Sequence, residues 1–270
     1  MRFTKNHIGL FLPLALTFAM ISCEKVVELD LDDAKQMLVV EAIVHDSLGD
    51  NFVKLSKTKP FNDNSVGYEA ISGALVIVTD NLGNSFTFTE TTVGNYSCPT
   101  LQGISGRAYF LTVNVNGKVV TATSVMNPKV SLDSLSHEKR DRPFNDPNEP
   151  IEYGVRTYFF DTPNFTNYYR IKAFNKGVQE KGYIVLNDDL LNGGIVVFPV
   201  FRVNYVEGDT AIIQLLSIDE ANFRYFNAIA SSQNGEVPGN PETNLVGEDV
   251  VGYFGAYAKS ERRLIITPLP

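Results

Sequence analysis

From residue 36 onward the chain alternates apolar, often β-branched residues with polar ones, and turn residues break the pattern at short intervals. Successive side chains on an extended strand point to opposite faces, so this period specifies half-buried strands. Residues 37–45 and 51–57 read as the first two. Residues 74–79 and 85–89 flank Asp80-Asn81-Leu82-Gly83-Asn84, and residues 109–115 and 118–123 flank Asn116-Gly117. Asn-Gly between alternating runs is the strongest short hairpin signal, because both positions tolerate positive φ. About seven short strands without a helical period predict an immunoglobulin- or transthyretin-like β-sandwich over 36–127. A domain of that size can bury its own core and fold alone.

A second β-rich domain, 128–270, is expected to follow. Pro143, Pro147 and Pro150 forbid regular structure over 141–150, since proline lacks the amide that both helices and ladders use. Alternation returns over 152–161, 168–174, 195–201 and 211–216, and again over 252–258 and 263–267. One helix interrupts it. Ser217-Ile218-Asp219-Glu220 resembles a capping box, and Phe223, Phe226, Ile229 and Ala230 share one face, as core packing against a sheet requires. The chain is therefore mainly β, with a sandwich domain followed by a β-rich domain carrying one helix.

The first residues are of another kind. Arg2 and Lys5 precede an uncharged apolar run from Gly9 to Ile21. That is the layout of a signal peptide, and it falls short of the roughly 20 residues of a membrane-spanning helix. Met20-Ile21-Ser22-Cys23 then resembles the lipobox of bacterial lipoproteins, with Met20 where leucine is usual. This implies that residues 1–22 are a leader and that Cys23 is the lipid attachment site. Residues 23–35, with Glu24, Glu28, Asp30, Asp32 and Asp33, read as an acidic tether.

Charge narrows the partners. Arg2 and Lys5 leave with the leader, so the 23 Lys+Arg of the whole chain fall to 21 against an unchanged 31 Asp+Glu, a net charge of −10. Such a surface excludes nucleic acid and anionic lipid as general partners, because both need clustered cations. Membrane association is expected through the lipid on Cys23 alone. With Cys23 acylated, Cys98 has no thiol partner and reads as a small buried hydrophobe.

Catalytic chemistry is sparse. His45 and His137 are isolated, and His137-Glu138 lacks the second histidine of a zinc protease. Gly103-Ile104-Ser105-Gly106 is no nucleophile elbow. There is no phosphate loop, no C-x-x-C and no full calcium loop, so no catalytic residue, cofactor or metal ligand is assigned. The chain also has no tryptophan to supply a large flat ring for sugars. The remaining candidates are binding loops. Residues 187–194, with Asp188, Asp189 and Asn192, and 234–252, with Glu248 and Asp249, are the acid-, Asn- and Gly-rich connections where function concentrates.

Several segments together resemble a known group. They include Cys23-Glu24-Lys25-Val26-Val27-Glu28, Leu38-Val39-Val40-Glu41-Ala42, Ile71-Ser72-Gly73-Ala74 and Ser131-Leu132-Asp133-Ser134-Leu135. Further along come Asn167-Tyr168-Tyr169, Asp188-Asp189 with Gly193-Gly194, and Val251-Gly252-Tyr253-Phe254-Gly255-Ala256. In this order they resemble domain-of-unknown-function lipoproteins of the Bacteroidota, often encoded beside TonB-dependent outer-membrane receptors. The resemblance implies an outer-membrane, lipid-anchored protein facing the cell exterior, with such a receptor as partner; it carries over no catalytic residue, and the sparse catalytic chemistry makes non-enzymatic binding the expectation. The alternatives are a structural or adhesive surface protein, and a β-scaffold hydrolase using Asp188, Asp189 or Glu248 with Asp249.

Overall fold

Strand pairing in the first half follows directly from the alternation. The computed structural model describes residues 35–60, 63, 65–140, 149–163, 165–188, 193–233 and 241–269, without the side chain of Arg202. Seven strands precede residue 127: β1 (Leu38–His45), β2 (Phe52–Lys57), β3 (Leu75–Asp80), β4 (Ser85–Thr92), β5 (Asn95–Ser97), β6 (Ala108–Val115) and β7 (Lys118–Val125). Asn116 and Gly117 join β6 to β7 with φ of 50° and 76°. The β3–β4 turn is closed by Asp80, whose carboxylate accepts from the amides of Leu82 and Asn84 and from Arg107. Those hydrogen bonds together outweigh burial and hold the Asp80 carboxyl below the usual carboxylate range.

The second half adds β8 (Leu132–Lys139), β9 (Tyr153–Phe160), β10 (Tyr168–Asn175), β11 (Val178–Gln179), β12 (Ile184–Asn187), β13 (Ile195–Tyr205) and β14 (Thr210–Ile218). Helix α1 (Glu220–Gln233), β15 (Leu245–Val246) and β16 (Val250–Ile265) complete it. The protein is mainly β, as the patterning implies. Two sheets form among the described residues. One runs β11-β10-β14-β16-β1-β2-β5-β4-β3-β6-β7-β15 with β12 also on β10, and the other is β13-β9-β8.

β16 is shared between the halves. Val250 to Tyr257 run parallel to β1, and Ala258 to Ile265 run antiparallel to β14. Gly252 makes the first stretch feasible: its φ is 115°, and a Cβ there would overlap the Val40 carbonyl. Phe254, Ala256 and Ala258 thus enter the first core beside Val40, Ala42 and Val44. The limits 36–127 and 128–270 divide the sequence, while residues Lys35–Pro270 cluster as one compact unit. A second core lies between the β10-β14-β16 layer and the β13-β9-β8 sheet, around Phe159, Tyr169, Ile213 and Leu215.

A third core forms where α1 covers the outer face of the larger sheet. Phe226 packs against Ile43, Leu216, Ile218, Tyr253 and Tyr257, with Phe223 and Ile229 beside it. The face predicted from the sequence is therefore the face that packs. The cap differs from the expectation: Ser217 stays in β14, and Asp219 caps α1 by accepting from the Asn222 amide at 2.9 Å. Asn222 in turn donates to the Phe254 carbonyl and accepts from the Tyr257 hydroxyl. Cys98 is buried and free.

Candidate functional site

Of the residues singled out as binding loops, Asp188 and Asp249 are held in structural contacts, and the fold keeps these two apart. Asp188 is buried, with its carboxylate accepting from the Asn167 amide at 2.9 Å and its own amide donating to the Asn167 carbonyl at 3.2 Å. It closes the approach to β10. Asp189, Asn192 and Cys23 lie outside the described residues. The segment 234–252 is less of a loop than its composition suggests, since it contains β15 on β7 and the first residues of β16. Residues 234–240 lie outside the described set.

Glu248 is exposed in the turn between β15 and β16. Asp249, at φ 52°, takes the Leu38 amide on its carbonyl and pairs its carboxylate with Lys35 at 2.7 Å and Lys118 at 3.0 Å. The hydrogen bonds from Lys35 and Lys118 hold that carboxyl below the usual range. Asp188 sits level with the middle of β16, through Tyr168 opposite Ile218, whereas Asp249 precedes its first residue. That is a separation of about 25 Å along the strand. These carboxylates cannot act as an acid–base pair. No three His, Cys, Asp or Glu side chains converge as metal ligands among the described residues.

The feature the sequence did not point to is a cleft of about 720 Å³ at the outer edge of β10. One edge of β10 pairs with β14 along its length. The other pairs with β12 over Tyr168–Ile171 and with β11 over Phe174–Asn175, which leaves Lys172 and Ala173 between them. Residues 180–183 cross this gap, and the Glu180 amide donates to the Ala173 carbonyl at 2.9 Å. Phe198, Phe201 and Val203 of β13 line the opposite wall, and Asn227, Ala230 and Gln233 bring in the C-terminal turns of α1. The cleft is thus the open side of the second sandwich layer.

Its charged lining is Arg140, Lys172 and Lys181 against Glu180. Arg140 leaves the end of β8 and crosses β9 at Gly154, where a Cβ would stand 3.2 Å from its Nε. Its Nη2 donates to the Val203 carbonyl at 3.0 Å, while the buried Nε has no partner among the described residues. Lys172 is pushed down from 10.5 to about 8, first by burial and then by Arg170 and Lys259. Arg170 itself is 5% exposed. Its guanidinium lies 3.8 Å from the Phe226 ring centre and 5.0 Å from that of Tyr183, a cleft residue, and its Nη1 has no hydrogen-bond partner among the described residues. Cations beside aromatic walls give this cleft the chemistry to receive an anionic group.

Among the described residues no helix is long and apolar enough to cross a membrane. In a comparison with known families, the model of a family described as "Domain of unknown function (DUF4249)" matches residues 24–263. No curated protein matches the chain.

Proposed function

We propose, from the premise that the chain belongs to the DUF4249 family, that it is a lipid-anchored accessory protein of the outer membrane. It faces the cell exterior, serves a TonB-dependent uptake receptor and binds without catalysis. The location rests on the sequence: Arg2 and Lys5, the apolar run and Ser22-Cys23 form a leader ending at a lipid attachment site. The family match, 24–263, leaves that leader outside, which supports reading it as separate from the folded protein. A diacylglyceryl group plus an amide-linked chain on Cys23 supplies the multiple acyl chains that stable anchoring needs. The receptor enters from the resemblance to the Bacteroidota lipoproteins.

The observation that carries a binding role is the β10-edge cleft, a concave, part-apolar, part-cationic site on a β scaffold. A second reading, an adhesive surface protein, is favoured by the outer face of the small sheet, where Phe160, Ile195, Val197 and Phe201 are about half exposed or more. Affinity purification of the chain from detergent-solubilised outer membranes separates the two. Stoichiometric recovery of a receptor barrel supports the accessory role. Recovery without one, combined with cell–cell or surface attachment lost on deleting the gene, favours adhesion. Intact mass of the membrane-bound form should show acylated Cys23, and Cys23→Ser should abolish membrane retention; an unlipidated Cys23 in that fraction defeats the anchoring claim.

A further inference from the structure

We infer that the β10-edge cleft is a binding site for a small organic anion, an acidic head group carried on an apolar body. The inference rests on the binding role proposed above and specifies its ligand class. In a chain of net charge −8, three of the four charged residues lining this cleft among the described residues are cations. Lys172 and Lys181 make no ion pair among the described residues, although most surface lysines elsewhere sit beside a carboxylate, as Lys57 does with Glu69 and Lys118 with Asp249. Arg140 presents a buried Nε with no acceptor.

Behind the wall, Arg170 adds a fourth positive charge. It is stacked on Tyr183 and Phe226, and one of its nitrogens is unsatisfied. Low-dielectric walls focus such a field into the opening, so an anion gains more there than on an open surface. The head group would meet Lys172 and Lys181. The body would meet Tyr183, Ile184, Phe198 and Phe201, the apolar and aromatic part of a lining that also carries Gln179, Asn204, Asn227 and Gln233. The volume, about 720 Å³, falls within the range of roughly 300–1,000 Å³ typical of small-ligand sites.

Lys172 makes the site pH-dependent. Arg170 on its own strand, Lys259 on β16 and His45 on β1 all face it electrostatically, with Glu180, Lys181 and Tyr183 across the cleft. Burial and the neighbouring cations bring its ammonium to titrate near 8. Anion affinity should therefore fall as pH rises through that value, because the neutral amine no longer attracts the head group.

Calorimetry on the full chain with three probes tests this. Naphthalene sulfonate carries both parts, naphthyl methanol the body alone and inorganic phosphate the charge alone. The sulfonate should bind one-to-one and at least about tenfold more tightly than either other probe. Lys172→Gln and Lys181→Gln should each weaken it about tenfold, with thermal unfolding unchanged, and the alkaline loss of affinity should disappear in Lys172→Gln. No sulfonate binding, equal binding of naphthyl methanol or phosphate, or lysine variants that bind like wild type would each overturn the inference. A chain that binds no sulfonate yet recovers its receptor overturns the ligand class and leaves the accessory role standing. One that binds sulfonate but recovers no receptor does the reverse.

Discussion

The hairpin pair β6–β7 and the helix-covered layer β10-β14-β16 are both sheet, yet they are built on different rules. From Tyr109 to Val115 on β6 and from Val119 to Val125 on β7 buried and exposed residues alternate strictly, because one face packs on the first core and the other meets water. Along β14 the last four residues are all buried, and β16 holds a run of seven buried residues, because a core lies on each face. The first region is encoded locally, by a two-residue turn and a period of two. The second is encoded by partners far away in sequence, such as β1 for β16. Polar groups in it must then find buried partners, as Asp161 does in the Tyr169 hydroxyl and Asn222 in Tyr257.

The comparison breaks most completely if the locally encoded half can do without β16. A fragment of 36–127 lacks Phe254, Ala256 and Ala258 from its core and leaves one edge of β1 unpaired. It should show no cooperative thermal transition, and a fused copy of 245–258 should restore one. Cooperative melting of the bare fragment would mean that β16 is an addition to a finished sandwich. Within the whole chain, Gly252→Val should cost about 3 kcal/mol or more in denaturant unfolding, combining a strained positive φ with overlap onto the Val40 backbone. A loss below about 1 kcal/mol would show that the parallel β1–β16 pair contributes little.

Legibility follows the same division. β1 to β4, β6 and β7, the hairpin turns and the apolar face of α1 can be read from the sequence because periodicity and turn chemistry are local, whereas the three-residue β5 is too short to show a period. The cleft cannot. It exists because β11 and β12 stop short of Lys172 and Ala173 and because β13 comes up opposite them. No periodic signal records where a neighbouring strand ends. Its best clue is chemical: Arg140, Arg170 and Lys172 are cations in a chain of net charge −8. The acid-rich connections attracted attention by composition, but Asp188 and Asp249 prove to be turn and clamp residues.

Acid should sharpen the contrast at the junction of the two regions. His45 ends β1, is 6% exposed and has an Nδ1 with no hydrogen-bond partner among the described residues. Burial first, then Lys172 and Lys259, lower it from 6.5 to about 4, against the pull of Asp50 and Asp46. Between those values the unfolded chain binds a proton that the folded one refuses, so stability is full above 6.5 and declines as pH falls towards 4. The loss should approach about 3 kcal/mol, and His45→Phe should flatten that part of the stability–pH curve. An unchanged slope would show that the imidazole reaches water.

Arg170→Met should do less, within about 1 kcal/mol of wild type, because losing the stacking on Phe226 and Tyr183 is offset by removing a buried cation with an unsatisfied nitrogen. A cost above about 3 kcal/mol would make the guanidinium a structural centre of the helix-covered layer.

The smallest effect belongs to Asp249. Its pairs with Lys35 and Lys118 are solvent-exposed, and such pairs contribute little once screening and side-chain entropy are counted. Asparagine tolerates the same left-handed backbone, so Asp249→Asn removes the charge and leaves the turn into β16 intact. The melting temperature and sulfonate binding should both match wild type, and the small stability difference should vanish in high salt. A loss of receptor recovery in this variant, with folding unaffected, would return the β15–β16 turn to the binding surface and move the site away from the β10 edge.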